Sequence, residues 1–300
     1  NADTAARICG EELPDLKVVR TKATEGLALP AADRSAVPFS PGPEHDALLI
    51  YTSGTTGQPK GVIHSHASLL AGGANTAAAH HLTPEDRGLC VLPLCHINGQ
   101  VVTVMGPLLS GSSVVMPSRF RVSRFWDWVS AHHCTWFSAV PTIISYLLGA
   151  QETGADPEKK VLAHVRFGRS ASAALPPAVH TAFVERFGIP LVETMGITET
   201  AAPILSNPLN PKAHRIGSPG KSCGNEVRIA DEHGMDLESG SEGEIQIRGH
   251  NVMKGYLKDP EKTREAFTRD GWYRTGDLGQ MDQDGYVFVT GRIKELIIKG

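Results

Sequence analysis

Short apolar runs at 47–51, 89–92, 113–116, 136–140, 165–167 and 191–193 alternate with longer stretches of helical character. Those stretches cover 65–79, 99–109, 124–132, 141–148 and 176–187. Short β-rich segments separated by helices of about ten residues predict a series of β-α-β units around a largely parallel sheet. Ligands of such sheets gather beyond the carboxyl ends of the strands, so the loops there are where chemistry is expected. After about residue 210 the pattern changes. Segments 226–230, 244–248 and 286–290, with turns at 231–234 and 283–285, predict antiparallel strands joined by Asp-Gly type turns. Before residue 46 the pattern is poor: a strand candidate at 16–20, then a Pro/Ser/Gly-rich stretch ending in Pro41-Gly42-Pro43.

Charge narrows the possible functions. Lys and Arg number 29 against 32 Asp and Glu, a net charge of -3, which supplies no broad basic surface for nucleic acid or anionic lipid. No run approaches the roughly 18 apolar residues of a membrane span. Cys9, Cys90, Cys95, Cys134 and Cys223 form an odd, scattered set without a Cys-x-x-Cys pair. They read as buried or inert thiols in a reducing, cytoplasmic setting. The pairs His64/His66 and His80/His81 lack a carboxylate or Cys at metal-ligand spacing. The chain opens on Asn1 and stops at Lys299-Gly300 directly after an apolar run, so both ends read as cut.

The strongest local signal is Thr52-Ser53-Gly54-Thr55-Thr56-Gly57-Gln58-Pro59-Lys60-Gly61, placed after one predicted strand and before a predicted helix. Glycines let backbone N–H groups approach phosphate oxygens closely, and hydroxyls and a lysine add donors and charge. It is not a Walker loop, because Pro59 precedes Lys60 and Gly61 follows it. A P-loop kinase or GTPase is therefore disfavoured.

This run resembles the phosphate-binding signature of the AMP-forming adenylating enzymes, which include acyl-CoA synthetases, peptide-synthetase adenylation domains and luciferases. Further segments resemble that family's motifs in order. Pro93-Leu94-Cys95-His96 resembles its acyl-pocket segment, with His96 to orient a carboxylate or gate the pocket. The small-residue turn with Ser172 and Ala173 would lie against the adenine. Thr194-Met195-Gly196-Ile197-Thr198-Glu199 resembles a further motif; Thr198 would meet the phosphates and Glu199 the Mg²⁺. Met195, where an aromatic is usual, would offer the adenine a thioether contact. The segment 244–249 resembles a strand-and-loop motif continued through Lys254-Gly255-Tyr256. Asp277, held between two glycine-containing turns, would accept the ribose hydroxyls. Arg292 would contact ribose or phosphate, and Lys294 would be a hinge.

The resemblance implies the N-terminal domain of the adenylate-forming fold. It divides the chain into an α/β core over 1–210 that is incomplete at its N-terminus, a β-rich subdomain over 211–291, and a hinge over 292–300. It implies ATP-dependent activation of a carboxylic acid as acyl-adenylate, with release of pyrophosphate and transfer to coenzyme A. ATP/AMP, Mg²⁺ and coenzyme A are the cofactors implied. The segments around Arg169-Ser170 and Ser206-Asn207 are most similar to synthetases of small or dicarboxylic acids, the oxalyl-CoA type among them. Polar Asn98 beside His96 fits a small polar acyl group. An adenylation domain loading a carrier protein and a non-catalytic nucleotide-binding remnant are the alternatives. Without the family's C-terminal lysine, the chain is expected to bind nucleotide but adenylate poorly.

Overall fold

The computed structural model describes residues 40–52, 59–150 and 162–293. The strand candidate at 16–20, the loop residues Ser53, Gly54, Thr55, Thr56 and Gly57, and Lys294 lie outside the described residues.

Residues 42 onward form one compact unit. Its central sheet has the order β4-β3-β5-β6-β7-β8-β9. The strands are β3 (Arg87–Cys90), β4 (Ser113–Val115), β5 (Trp136–Ala139), β6 (Phe167–Ser170), β7 (Leu191–Ile197), β8 (Ala202–Ser206) and β9 (Lys221–Ser222). The first five run parallel; β8 and β9 close the edge antiparallel. The parallel strands are covered on both faces, and their side chains alternate between two cores as a pleated strand requires. Trp136 and Phe167 pack with Leu69, Val101 and Val192 on one face. Phe137 packs with Phe125, Trp126, Phe183 and Phe187 on the other. The second face is covered by helices α3 (Val122–Ala131), α4 (Pro141–Gly149) and α5 (Pro177–Phe187). Gly168 is required by that packing, since a Cβ there would stand 2.4 Å from Phe137 Cζ.

On the first face lie helix α1 (His66–Ala79) and a π-helical segment, Asn98–Met105, that runs into the short helix α2 (Gly106–Leu109). Ser65 caps α1, its hydroxyl accepting the Ser68 N–H at 3.1 Å. The single helix expected over 99–109 is thus divided. The Thr103 hydroxyl competes for the carbonyls of Asn98 and Gly99 (3.2 and 2.8 Å) inside the widened turn.

Two smaller antiparallel sheets complete the unit. One joins β1 (Asp46–Thr52), β2 (Lys60–Ser65) and β12 (Gly255–Tyr256); the other has the order β10-β11-β13-β14. The latter comprises β10 (Glu226–Ala230), β11 (Gly243–Arg248), β13 (Tyr273–Met281) and β14 (Val287–Arg292). The strands expected near 47–51, 226–230, 244–248 and 286–290 are present to within a residue or two at each end. Three expectations are corrected. The glycine-rich run leads from β1 into β2, its antiparallel partner, and not into a helix; Thr52 pairs with Lys60 across the turn. Strand β6 starts two residues later than 165, which puts Arg169 and Ser170 inside the sheet. Asp277 lies within β13 rather than between two turns.

That strand is interrupted in a specific way. Between the pairs Glu244–Leu278 and Gln246–Arg274, β13 carries Thr275, Gly276 and Asp277 where β11 carries Ile245 alone. Gly276 takes φ +72°, a conformation that favours glycine. Side chains satisfy the bulge: the Thr275 hydroxyl donates to Ile245 O at 2.7 Å and accepts the Asp277 N–H at 3.0 Å. The Glu244 carboxylate takes the Gly276 N–H at 3.2 Å and Arg274 Nε at 3.0 Å.

Candidate functional site

A cleft of about 1600 Å³ opens beyond the carboxyl ends of the parallel strands and is walled on the other side by the two smaller sheets. Thr52 and Lys60 enter it from the β1–β2 hairpin. His96 and Asn98 come from the β3-to-π-helix loop, Arg169 and Ser172 from β6 and its turn, and Gly196, Thr198 and Glu199 from the end of β7. Tyr256 and the bulge residues Thr275 and Gly276 complete the far wall, with Arg292.

The segment carrying Thr198 and Glu199 is a single 3-10 turn, too short to hold itself in place, so its neighbours fix it. His64, fully buried on β2, reaches the Thr198 carbonyl with Nε2 at 2.7 Å, while its Nδ1 lies 3.0 Å from the Ser68 hydroxyl. Burial pushes the His64 pKa down, so a neutral imidazole donates to that carbonyl. Met253 N–H donates to the Glu199 carbonyl at 2.8 Å, and Asn251 Nδ2 to the Thr200 carbonyl at 2.8 Å. Immediately after the turn, Ala201 and Ala202 take φ +46° and +84°; across the cleft Ser172 takes φ +71°. Non-glycine residues in that region carry strain and occur where surrounding structure over-determines the backbone, commonly at functional sites.

Two groups, Tyr256 and Lys60, meet near Glu199. Tyr256 Oη donates to Glu199 Oε1 at 3.1 Å. The Lys60 ammonium stands over the same tyrosine ring, 4.7 Å from its centroid. Burial and the Glu199 charge push the Tyr256 hydroxyl well above its ordinary pKa, so it stays a donor. Glu199 Oε2 has no hydrogen-bond partner among the described residues. A carboxylate with one oxygen free in an open cleft suits Mg²⁺, which takes few protein ligands and keeps waters and phosphate oxygens for the rest. Among the described residues, no three His, Cys, Asp or Glu side chains group together as a metal cage.

Several expected residues stand elsewhere. Ala173, Thr194, Met195 and Asp277 are not in the cleft lining. Thr194 is buried and its hydroxyl donates to the Ser170 carbonyl at 3.3 Å. Met195 is partly buried and packs on the core of Ile204, Leu205 and Ile245. Asp277 is buried and accepts from Arg292 Nε at 2.6 Å, so the two residues expected to meet the ribose separately form an ion pair. Arg292 lines the cleft beside it. Tyr256, Glu244 and His64 were not expected at the site by role. Tyr256 was visible only as the last residue of a motif, and nothing in the sequence ties His64 to Thr198, 134 positions away.

At the inner wall a second polar cluster stands apart from these groups. Arg169 is 1% exposed, and its Nη1 donates to Asn98 Oδ1 at 2.8 Å and to Ser138 Oγ at 3.0 Å. Ser138 Oγ also donates to Asn98 Oδ1 at 3.2 Å, and Asn98 Nδ2 reaches Ser172 Oγ at 3.3 Å.

Comparison with known proteins agrees with this geometry. A family model described as AMP-binding enzyme matches residues 4–257. Sulfoacetate–CoA ligase of Cupriavidus necator is 53% identical over 99% of this chain, which covers 57% of that protein. Oxalate–CoA ligase of Arabidopsis thaliana is 38% identical over 97% of the chain, which covers 58% of it. Among solved structures, ATP-bound MatB from Rhodopseudomonas palustris superposes with a TM-score of 0.79 at 34% identity. That match covers 86% of this chain and 50% of MatB. O-succinylbenzoate coenzyme A synthetase from Bacillus subtilis, in complex with ATP and magnesium ion, gives 0.78 at 31% identity, covering 88% and 54%. The chain thus spans a little over half the length of the curated relatives it matches. Among the described residues no helix is long and apolar enough to cross a membrane.

Proposed function

The chain belongs to the AMP-binding enzyme family, and we propose that the whole protein activates a small, polar carboxylic acid as its acyl-adenylate and then transfers the acyl group to coenzyme A. In the first step a carboxylate oxygen attacks the α-phosphorus of ATP; the bond from that phosphorus to the bridging oxygen breaks, and pyrophosphate leaves. In the second, the sulfur of the coenzyme A thiolate attacks the acyl carbon and AMP leaves. Neither step needs a covalent bond to the protein, so its contribution is positioning and charge neutralisation.

Lys60, which forms no salt bridge among the described residues, offsets the charge of two anions brought together. Glu199 would hold a Mg²⁺ whose charge, when bound, neutralises the phosphates. Tyr256 fixes the carboxylate of Glu199, and His64 fixes the turn that presents Thr198 to the phosphates. His96, exposed in the loop after β3, orients the incoming acid or gates its entry. Thr52 and the glycine-rich loop that follows it, with Ser172, Gly196 and the Asp277–Arg292 pair, are assigned to the nucleotide; Lys294 is assigned to a hinge after the β-rich region. The site draws on both the α/β core and that region.

The observation that carries this reading is the convergence of Lys60, Glu199 and Tyr256, from three separate segments, on one cleft. The names of the relatives, sulfoacetate–CoA ligase and oxalate–CoA ligase, support a small polar acid. The test is to incubate the full-length protein with Mg-ATP, coenzyme A and a panel of short acids and detect products by mass spectrometry. The expected products are AMP and an acyl-CoA thioester. Acyl transfer only to a phosphopantetheinyl carrier protein, or AMP bound without turnover of any acid, would contradict it.

A further inference from the structure

Arg169 is a buried cation without a counter-charge. It lies on the central strand β6 and has no carboxylate partner among the described residues. A guanidinium carries five N–H donors. Two are used by Nη1 on Asn98 Oδ1 and Ser138 Oγ. Nε is enclosed and has no acceptor, and Nη2 has none among the described residues. Nη2 is therefore the donor left open, and its N–H groups suit an oxygen of a carboxylate or sulfonate in a charge-assisted hydrogen bond.

Such an arrangement is costly in a resting protein. A buried charge is normally paired, and a buried polar donor normally has an acceptor. Burial lowers the Arg169 pKa only to about 10, so the group is still charged at neutral pH. Its neighbours do not cancel that charge. Asn98 and Ser138 are neutral, His80 is held neutral by burial, and the Cys223 thiol is pushed up to about 12 by burial. Asn98 and Ser138 do restrain the guanidinium, and Ser172 restrains Asn98. The open donor is therefore preorganised rather than floppy. Arg169 and Asn98 both line the cleft, and Lys60, Tyr256 and Glu199 line it from other segments.

We propose that Arg169 is the specificity-determining residue for the acid: its free Nη2 donors bind a second, ionised acidic group on the substrate, distal to the carboxylate that is activated. The substrate class is then a short carboxylic acid bearing a second carboxylate or a sulfonate. This rests on the acid-activating reading of the cleft.

The test compares, in the full-length protein, sulfoacetate and malonate with their singly charged counterparts, methylsulfonylacetate and monomethyl malonate. Each is assayed by ATP-dependent pyrophosphate release and, without ATP, by calorimetric binding. The wild type should favour at least one dianion over its counterpart by about 100-fold in kcat/KM, since a site built to bind a polar group rejects the analogue that cannot fill it. Whether sulfoacetate or malonate shows that preference identifies the second group as sulfonate or carboxylate. In Arg169→Met the ratio should collapse to about 5 or less; Arg169→Lys, which keeps the charge without the fork, should retain an intermediate ratio. A wild type with no preference for either dianion overturns the proposal without any variant. A ratio that survives in Arg169→Met, with all acids slowed equally, overturns it too and leaves Arg169 a scaffold for Asn98. Pyrophosphate release with singly charged acids alone would sink the proposal and spare the acid-activating reading. Arg169-dependent binding of a dianion with no pyrophosphate release would do the reverse.

Discussion

Tyr256 and Glu199 are 57 positions apart and share a hydrogen bond of 3.1 Å, the tyrosine donating to Oε1. The bond joins the β1–β2–β12 sheet to the turn after β7, the same two parts that His64 and Thr198 join in the interior. The carboxylate proposed to receive a metal ion is held there by one donor, leaving its other oxygen free among the described residues.

Removing that donor should weaken catalysis without unfolding the protein. A hydrogen bond to a charged acceptor is worth about 1.5–3 kcal/mol. Tyr256→Phe should lower kcat/KM for ATP by about 10-fold or more and raise the Mg²⁺ concentration for half-maximal activity, with little change in melting temperature. Kinetics titrated with Mg²⁺ check both. A normal Mg²⁺ dependence would mean the bond has no part in metal binding.

Lys60 lies over the Tyr256 ring at the entrance of the glycine-rich loop. Lys60→Met keeps most of the stem and removes the charge. The expected result is a kcat/KM for ATP lower by about 100-fold, in line with losing one charge-stabilising group. Most of the loss should appear as weaker ATP binding, measured by equilibrium titration with a non-hydrolysable analogue.

The close packing of α1 on the turn after Thr198 can be tested at Gly72. A Cβ there would stand 2.1 Å from the Ala201 carbonyl oxygen, and backbone cannot move aside as a side chain can. Alanine adds up to about 1 kcal/mol of helix preference, whereas overpacking costs about 1–3 kcal/mol. Gly72→Ala should therefore be net destabilising in urea denaturation and should also reduce activity by displacing Glu199. Equal or higher stability would show that α1 is less tightly seated than the structure has it.

His80 supplies a pH dependence. Its ring is enclosed beside Trp136 and Phe167, with centroids 6.1 and 5.2 Å away, and neither nitrogen has a partner. Burial, with the nearby positive charge of Arg169, pushes its pKa down to about 3 from 6.5. The unfolded chain takes up the proton below 6.5 while the folded one does not, so stability is full above 6.5 and falls between there and about 3. The slope from this one group approaches about 1.4 kcal/mol per pH unit. His80→Phe should flatten that limb and leave stability at pH 7 equal or higher, because it removes two unpartnered buried nitrogens. An unchanged slope in urea titrations across pH would contradict the assignment.

Much of this was legible along the chain where local signals agree. The runs at 136–140 and 191–193 read as strands because β-branched and aromatic residues stand between helices with clear starts, such as Pro141 and Pro177. Where tertiary pairing decides, the reading failed. Lys60–Ser65 begins Lys-Gly after a proline and merges with the helix that follows, and only its pairing with β1 makes it a strand. Tyr273–Met281 holds Gly276 and Gly279, poor strand formers that the bulge and the Thr275 hydroxyl accommodate. The motifs pointed to Lys60, Thr198, Glu199 and Arg292, which all line the cleft. They missed the partners of these residues, because His64, Tyr256 and the Asp277–Arg292 pair are defined by contacts across distant segments.

The central claim is that the cleft joins a carboxylate to the α-phosphorus of ATP. Its most direct measurement is exchange of labelled pyrophosphate into ATP by the full-length protein with Mg²⁺, with and without a short dianionic acid and with coenzyme A omitted. Exchange should depend on the acid and fall at least about 100-fold in Glu199→Gln. Exchange that ignores the acid, or that survives unchanged without the Glu199 carboxylate, would contradict it.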